Sequence, residues 1–288
     1  MDSFLPTLIA LVAAFLFALS AHVQNVGLES ADTRAGTIVV VGATAVFYWL
    51  AAPFLVPAAY WLTWATLLFA ATGLIRPTLT MVLWVEGIKR LGPTLNSGLA
   101  ASGPIFSATF AVLILGEVMT LPIAIGTAAV VTGVLVTALR RSGSVMTFPA
   151  WAILLPLGAA LLRAFAHAIT KIGFAEVPSA FFAGLVGTTI GFVMLLGRFV
   201  VLGHHLDLRS RGHKYFIAAG LCNALAIYLL NKALQIGQLI TVAPVLSLSP
   251  VFAMLLGLFV FGRETLTWRT LITIALVVPG VMLITLYR

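Results

Sequence analysis

Charge is what this sequence has least of: 8% of its 288 residues are charged against 61% hydrophobic, and the mean hydropathy is +1.15. So few polar groups cannot cover a water-facing surface, which excludes a soluble globular domain and leaves an integral membrane protein. Strand-like alternation is missing as well. The apolar runs are ~20 or more residues long, so helices span the bilayer and a barrel is excluded. Cysteine is nearly absent. Cys222 stands alone, can form no internal disulfide, and reads as a small apolar residue packed inside a helix. Acid is scarcer than base, with 8 Asp and Glu against 16 Lys and Arg and a net charge of +8. In a soluble chain that balance would suggest nucleic acid. Here the basic residues lie mainly between apolar runs, as the positive-inside rule expects, and nucleic acid is not an expected partner. No basic n-region precedes the first run, which follows Met1-Asp2-Ser3, so it reads as a retained span rather than a cleaved signal.

What is there is an array of apolar windows set off by turn and charge clusters. They give ten spans: Phe4 to Leu28, Ala35 to Val56, Trp64 to Ile88, Pro93 to Leu115, Leu121 to Leu139, Phe148 to Gly173, Pro178 to Leu202, Lys214 to Ile236, Leu239 to Phe261 and Leu266 to Leu286. The longest connection, Gly203 to His213, reads as a polar surface loop, and no soluble domain fits between spans. The end of the chain repeats its middle. VVTGVLVTALRR at Val130 to Arg141 returns as VVPGVMLITLYR at Val277 to Arg288. Gly116 to Thr120 parallels Gly262 to Thr267 with one residue inserted, and Ala21 to Gly27 loosely parallels Ala166 to Gly173. The expectation is an all-α polytopic protein built from two five-helix repeats, 1–143 and 144–288, forming one structural unit. Five is odd, so the second copy enters the membrane inverted. The charges agree: Arg34, Lys89, Arg90, Arg140 and Arg141 in the first copy, and Arg209, Arg211, Lys214, Arg263 and Arg269 in the second, all fall on one face. By the Lys/Arg bias that face is cytoplasmic and both termini are outside.

This five-plus-five arrangement, the GE-x-x-T and G-x-E-x-L-T turns at Gly116 to Thr120 and Gly262 to Thr267, and the glycine-containing closing helices resemble the drug/metabolite transporter superfamily, EamA branch. The likeness covers nearly the whole chain. Within that branch the chain is similar to the YddG-type bacterial exporters of aromatic and other amino acids. The resemblance implies a multi-pass carrier of the cell inner membrane, working by alternating access as a monomer on a small-molecule substrate, without a cofactor. It also implies a cavity between the repeats, lined mainly by the first, third, fourth, sixth, eighth and ninth helices. Where relatives often place a Trp-Gly pair in the first helix, this chain reads Phe15-Leu16-Phe17-Ala18-Leu19-Ser20.

Arg76 and Arg163 lie near the middle of the third and sixth spans, where a charge costs ~2.5–3.5 kcal/mol on insertion scales. Each is a candidate substrate ligand, or else bonds carbonyls freed by the nearby Pro77 or Pro156. Arg163, His167 and Lys171 recur at i+4 and form one polar stripe, better placed against a cavity than against lipid. On the eighth span Tyr228 could stack on an aromatic substrate or pack in the bundle, and Lys232 could contact substrate or snorkel. His22 is the repeat mate of His167, and either a site role or a buried hydrogen bond suits both. Gly103-Pro104 and Ser249-Pro250 are matching mid-span breaks, and breaks at equivalent places in two inverted halves point to a transporter's site. Ser102 and Ser249 lie beside them, able to donate to a carboxylate or to let helices pack closely. Trp84 shares a face with Arg76 through Thr80 and joins the candidates, whereas the other tryptophans read as interface anchors. His204, His205 and His213 lack the spacing that closes a metal site, so no metal is expected.

No acidic residue occupies the middle of a predicted span, and Glu86, the deepest, has Lys89 and Arg90 within a turn. Proton-coupled exchange of organic cations uses an embedded carboxylate in small multidrug antiporters of this superfamily. A cavity with arginines and freed helix ends suits a carboxylate or phosphate instead. The expected function is export of small metabolites, above all amino acids, including aromatic ones. Exchange of anionic or phosphorylated metabolites, or multidrug export, are the alternatives. No paired Asp, Ser with Lys, or metal-ligating histidine set suggests an enzyme, and no ring of like polar residues suggests a channel.

Overall fold

In the computed structural model the described residues are 4–30, 33–138, 149–201, 212–262 and 267–287, and every regular element among them is helical. Helices α1 (Leu5–Leu28) and α2 (Thr33–Leu55) lead through a 3-10 turn (Ala58–Leu62) to α3 (Trp64–Leu74), which a π turn (Ile75–Leu79) joins to α4 (Thr80–Ala100). Then come α5 (Gly103–Leu113), α6 (Leu121–Ala138), α7 (Leu154–Gly173), α8 (Ala180–Val201), α9 (His213–Ile236), α10 (Leu239–Leu246), α11 (Ser249–Phe259) and α12 (Trp268–Leu286). Six stretches are long and apolar enough to cross a membrane: Leu5–Leu28, Gly36–Leu55, Ala150–Gly173, Ala180–Val201, His213–Ile236 and Leu239–Phe259. Trp64–Leu74, Leu121–Val136 and Thr270–Leu286 are apolar but shorter. Arg140, Arg141, Arg209, Arg211 and Arg263, which carry much of the predicted orientation, lie outside the described residues, as do His204, His205, Glu264 and the expected repeat boundary.

Three interruptions shape the bundle. Gly92 has φ 76° and ψ 162°, a conformation open to glycine, and it turns the chain sharply within α4. The next two fall at equivalent places in the sequence repeat, between α4 and α5 at Ala101–Ser102 and between α10 and α11 at Ser247–Leu248. The sequence predicts breaks here, but their cause differs from a proline lodged mid-helix. Pro104 and Pro250 stand in the first turn of α5 and of α11, where a missing N–H has no helical partner to lose. The carbonyls of the preceding turn are partly claimed: Ala101 N donates to Ser97 O and Gly98 O, and Ser102 N to Leu99 O.

α1 packs on α9 and α11, α4 and α5 pack on α7, α2 packs on α9, and α3 packs on α8. In lipid no hydrophobic gain favours one helix on another, so close approach through small residues does the holding. Ala10, Ala13, Ala14 and Ala18 of α1 are all at most 1% exposed. Where α6 crosses α12, a Cβ added to Gly126 would lie 2.6 Å from Gly280 O, and one added to Gly280 would lie 2.9 Å from Gly126 O. Outward, Phe54, Leu62 and Val201 are 86%, 97% and 85% exposed, a surface suited to acyl chains.

Candidate functional site

Arg76 sits in the π turn Ile75–Leu79, immediately before Pro77. Proline supplies no N–H to the helix ladder, and the wider turn absorbs that loss while Thr80 Oγ1 donates to the Arg76 carbonyl. The wider turn also bounds a cavity of about 240 Å³ walled by α1, α2, α3, α8 and α9, with Phe17, Thr44, Thr72, Arg76, Thr188, Asn223 and Asn231 on its surface. Roughly 300–1,000 Å³ is usual for drug-sized ligands, so this space is of the order of one small metabolite.

Arg163 extends from α7 into the same electrostatic neighbourhood. Its surface is accessible, and it is not among the residues on the cavity wall. Arg76 and Arg163 feel one another's charge, and both act on His167, while Arg76 also acts on Tyr48. Neither guanidinium has a carboxylate or hydrogen-bond partner among the described residues. The acids there are Glu29, Glu86, Glu117 and Glu176. Glu86 pairs with Arg90 at 2.8 Å and Lys89 at 3.7 Å, Glu117 and Glu176 hold helix ends, and Glu29 closes α1. A cation left unneutralised inside a bilayer protein attracts an anion.

The other predicted residues are less gathered. His167 is 7% exposed, its Nδ1 buried without a partner among the described residues. The stripe Arg163–His167–Lys171 does not face one cavity, contrary to its spacing. Lys171 Nζ lies 3.6 Å from Glu117 Oε1 and donates to Leu234 O at 3.3 Å and to Gly237 O. Glu117 in turn accepts from Leu239 N and Ile240 N, both at 2.8 Å, at the positive end of α10. His22 Nε2 is 2.7 Å from Ala253 O and its ring stacks on Phe261 at 4.6 Å, so it joins α1 to α11 rather than lining the cavity. Ser102 donates to Leu99 O at 2.7 Å, Lys232 donates to Gln235 Oε1 at 3.2 Å, and Tyr228 packs against the main core. Trp84 is half-buried and, like Ser249, is not on the cavity wall.

Asn223 and Asn231, which flank Tyr228 in the sequence, and Thr44, Thr72 and Thr188 are on the cavity wall without being among the candidates drawn from the sequence. Two asparagines eight residues apart in an apolar helix are a usable signal, since that spacing puts both on one face. Isolated threonines in such helices are not.

No curated protein matches this sequence significantly. A solved crystal structure superposes with a TM-score of 0.82 over 98% of this chain and 96% of its own, at 18% identity, which establishes a shared fold. The EamA-like transporter family matches twice, over residues 5–139 and again over 150–286. These matches cover nearly all of the chain and fall once in each copy of the internal repeat. The family comprises membrane transporters of small molecules and not enzymes. The chain, a multi-pass helical membrane protein, belongs to the EamA-like transporter family.

Proposed function

We propose that this protein is a secondary carrier of the cell inner membrane that exports amino acids, including aromatic ones, by alternating access of two inverted five-helix repeats. In this reading the chain crosses the bilayer ten times. The first repeat is 1–143 and the second 144–288. The pieces α3 with the start of α4, the end of α4 with α5, and α10 with α11 each make one crossing. A single chain suffices, since both halves of the site are on it.

The observation that carries this reading is Arg76, unneutralised among the described residues on the wall of a metabolite-sized cavity, with a second unneutralised guanidinium, Arg163, near enough for the charges to interact. A carboxylate entering beside Arg76 would replace lost hydration with charge-assisted hydrogen bonds. Among the earlier candidates, Arg76, Arg163 and His167 form the centre, with Thr80 supporting Arg76 through its carbonyl. His22, Trp84, Ser102, Tyr228, Lys232 and Ser249 take secondary places at helix contacts and breaks.

Counterflow in proteoliposomes tests the proposal: purified protein loaded with unlabelled amino acid should accumulate the labelled one. Arg163→Ala should abolish exchange while the protein remains monodisperse and inserted. No exchange with any amino acid, or full exchange by Arg163→Ala, overturns it. The same two unpaired guanidiniums suit a dianion, so phosphorylated metabolites are the second reading. Thermal stabilisation by phosphorylated ligands and not by amino acids would select it.

A further inference from the structure

The cavity beside Arg76 has a one-sided hydrogen-bonding wall, and this deepens the carrier reading given above, on which it rests. Three hydroxyls line it, each with one hydrogen already committed to backbone. Thr44 Oγ1 is 2.8 Å from Val40 O and 3.0 Å from Gly220 O; Thr72 Oγ1 donates to Phe69 O at 2.8 Å; Thr188 Oγ1 donates to Gly184 O at 2.7 Å. Two carboxamides line it too, and one N–H of each is engaged inside the protein. Asn223 Nδ2 donates to Thr44 Oγ1 at 3.3 Å and Asn231 Nδ2 to Ala180 O at 3.4 Å, bonds that fix the amide orientation.

The three hydroxyls are left with only oxygen to offer, each asparagine offers its oxygen and one N–H, and Arg76 is the wall's one cation among the described residues. Asn231 makes the demand acute. It is 1% exposed, yet its Oδ1 has no partner among the described residues. A buried acceptor left unmade is costly, so it calls for a donor from whatever occupies the space.

From this complement we infer that the cavity selects a zwitterion: an α-carboxylate engages the Arg76 guanidinium, while the α-ammonium gives its N–H groups to the oxygens of Asn231, Asn223 and the threonines. An ammonium carries three donors and no acceptor, the reciprocal of that wall. A phosphate or a second carboxylate is acceptor-rich, and against the same wall it would meet more lone pairs than N–H groups. The inference therefore separates amino acids from anionic metabolites by a wall in which acceptors outnumber the donors left beside Arg76.

Three compounds of one shape test it: phenylalanine, 3-phenylpropanoate, which lacks the ammonium, and phenyl phosphate, with leucine and 4-methylpentanoate as a second pair. Binding is read as thermal stabilisation of the detergent-solubilised full chain, independently of transport. The amino acid of at least one pair should bind roughly tenfold or more tighter than its deaminated acid, because a site built to pair a polar group rejects the analogue without it. Thr188→Val removes one wall oxygen at almost constant volume and should narrow that gap by weakening the amino acid alone; Asn231→Leu should narrow it further. If Asn231→Leu is not monodisperse, Thr188→Val decides. Equal binding of amino acid and deaminated acid, or an unchanged gap in Thr188→Val, overturns the inference and leaves the carrier reading standing. Stabilisation by phenyl phosphate above phenylalanine overturns the inference as well. Absence of amino-acid counterflow with the binding gap intact overturns the transport reading alone.

Discussion

Glu117 offers a prediction whose size can be worked from geometry. Its carboxylate, with a side chain 7% exposed, accepts from two backbone N–H groups at 2.8 Å each, the first donors of α10. Those donors have no helical partner, so Glu117→Ala leaves two buried N–H groups unmade and removes a negative charge from a positive helix end. Each charge-assisted bond is worth about 1.5–3 kcal/mol, giving a loss of about 3–6 kcal/mol for the pair. Lys171 keeps the carbonyls of Leu234 and Gly237, so no cation is left bare to add to the cost. Glu117→Gln retains one acceptor and should lose about half as much. Glu176 is the internal control. It makes the same kind of contact, to Ala65 N at 2.7 Å and Trp64 N at 3.3 Å, but is exposed, so water replaces it and Glu176→Ala should cost about 1 kcal/mol or less. Heating detergent-solubilised protein and following the monodisperse fraction by size exclusion measures all three. Glu117→Ala should fall on the order of 10 °C, at a few degrees per kcal/mol. Were it to melt within 2 °C of the parent, or were Glu176→Ala to cost as much, the reasoning from burial and capping would be refuted.

Other outcomes follow from close contacts. Gly73→Ala would put a Cβ 2.3 Å from Gly187 O, so α3 and α8 must separate along the cavity wall; a loss of about 1–3 kcal/mol and slower counterflow are expected, and unchanged values of both would contradict the packing. Tyr48→Phe removes a hydroxyl that donates to Ala224 O at 3.1 Å in a side chain 1% exposed, and thermal melting should register about 1 kcal/mol. Thr267 forms a capping box with Thr270 at the start of α12, so Thr267→Ala should destabilise by about 1 kcal/mol, with Thr267→Ser restoring most of it.

Much of the fold was legible because lipid imposes a simple rule on the chain. Apolar length marks helices, and duplicated endings mark the repeat, without any knowledge of contacts. Breaks at Pro104 and Pro250 were legible in place and not in cause, since sequence shows a proline but not whether it stands inside a helix or begins one. The site was half legible. Arg76 and Arg163 stand out because a mid-membrane charge demands a reason. Periodicity puts Lys171 on the face of Arg163, but a face says nothing of what lies opposite, and opposite Lys171 lies Glu117. Glu117 itself sits 122 residues from the N–H it caps, a distance no local pattern bridges. The oxygens of Thr44, Thr72 and Thr188 escaped notice for a related reason. Whether a hydroxyl offers its hydrogen or its lone pairs depends on which carbonyl already holds that hydrogen.

The crossing of α6 over α12 has a mechanical meaning. In the alternating-access cycle proposed above, contacts such as α1 with α9 and α4 with α7 would swap tightness, one loosening as its counterpart closes. The Gly126–Gly280 contact joins the last helix of one half to the last helix of the other, so trading the halves maps that helix pair onto itself. In that proposed cycle it could keep one geometry throughout and serve as the stationary bearing on which the moving pairs turn.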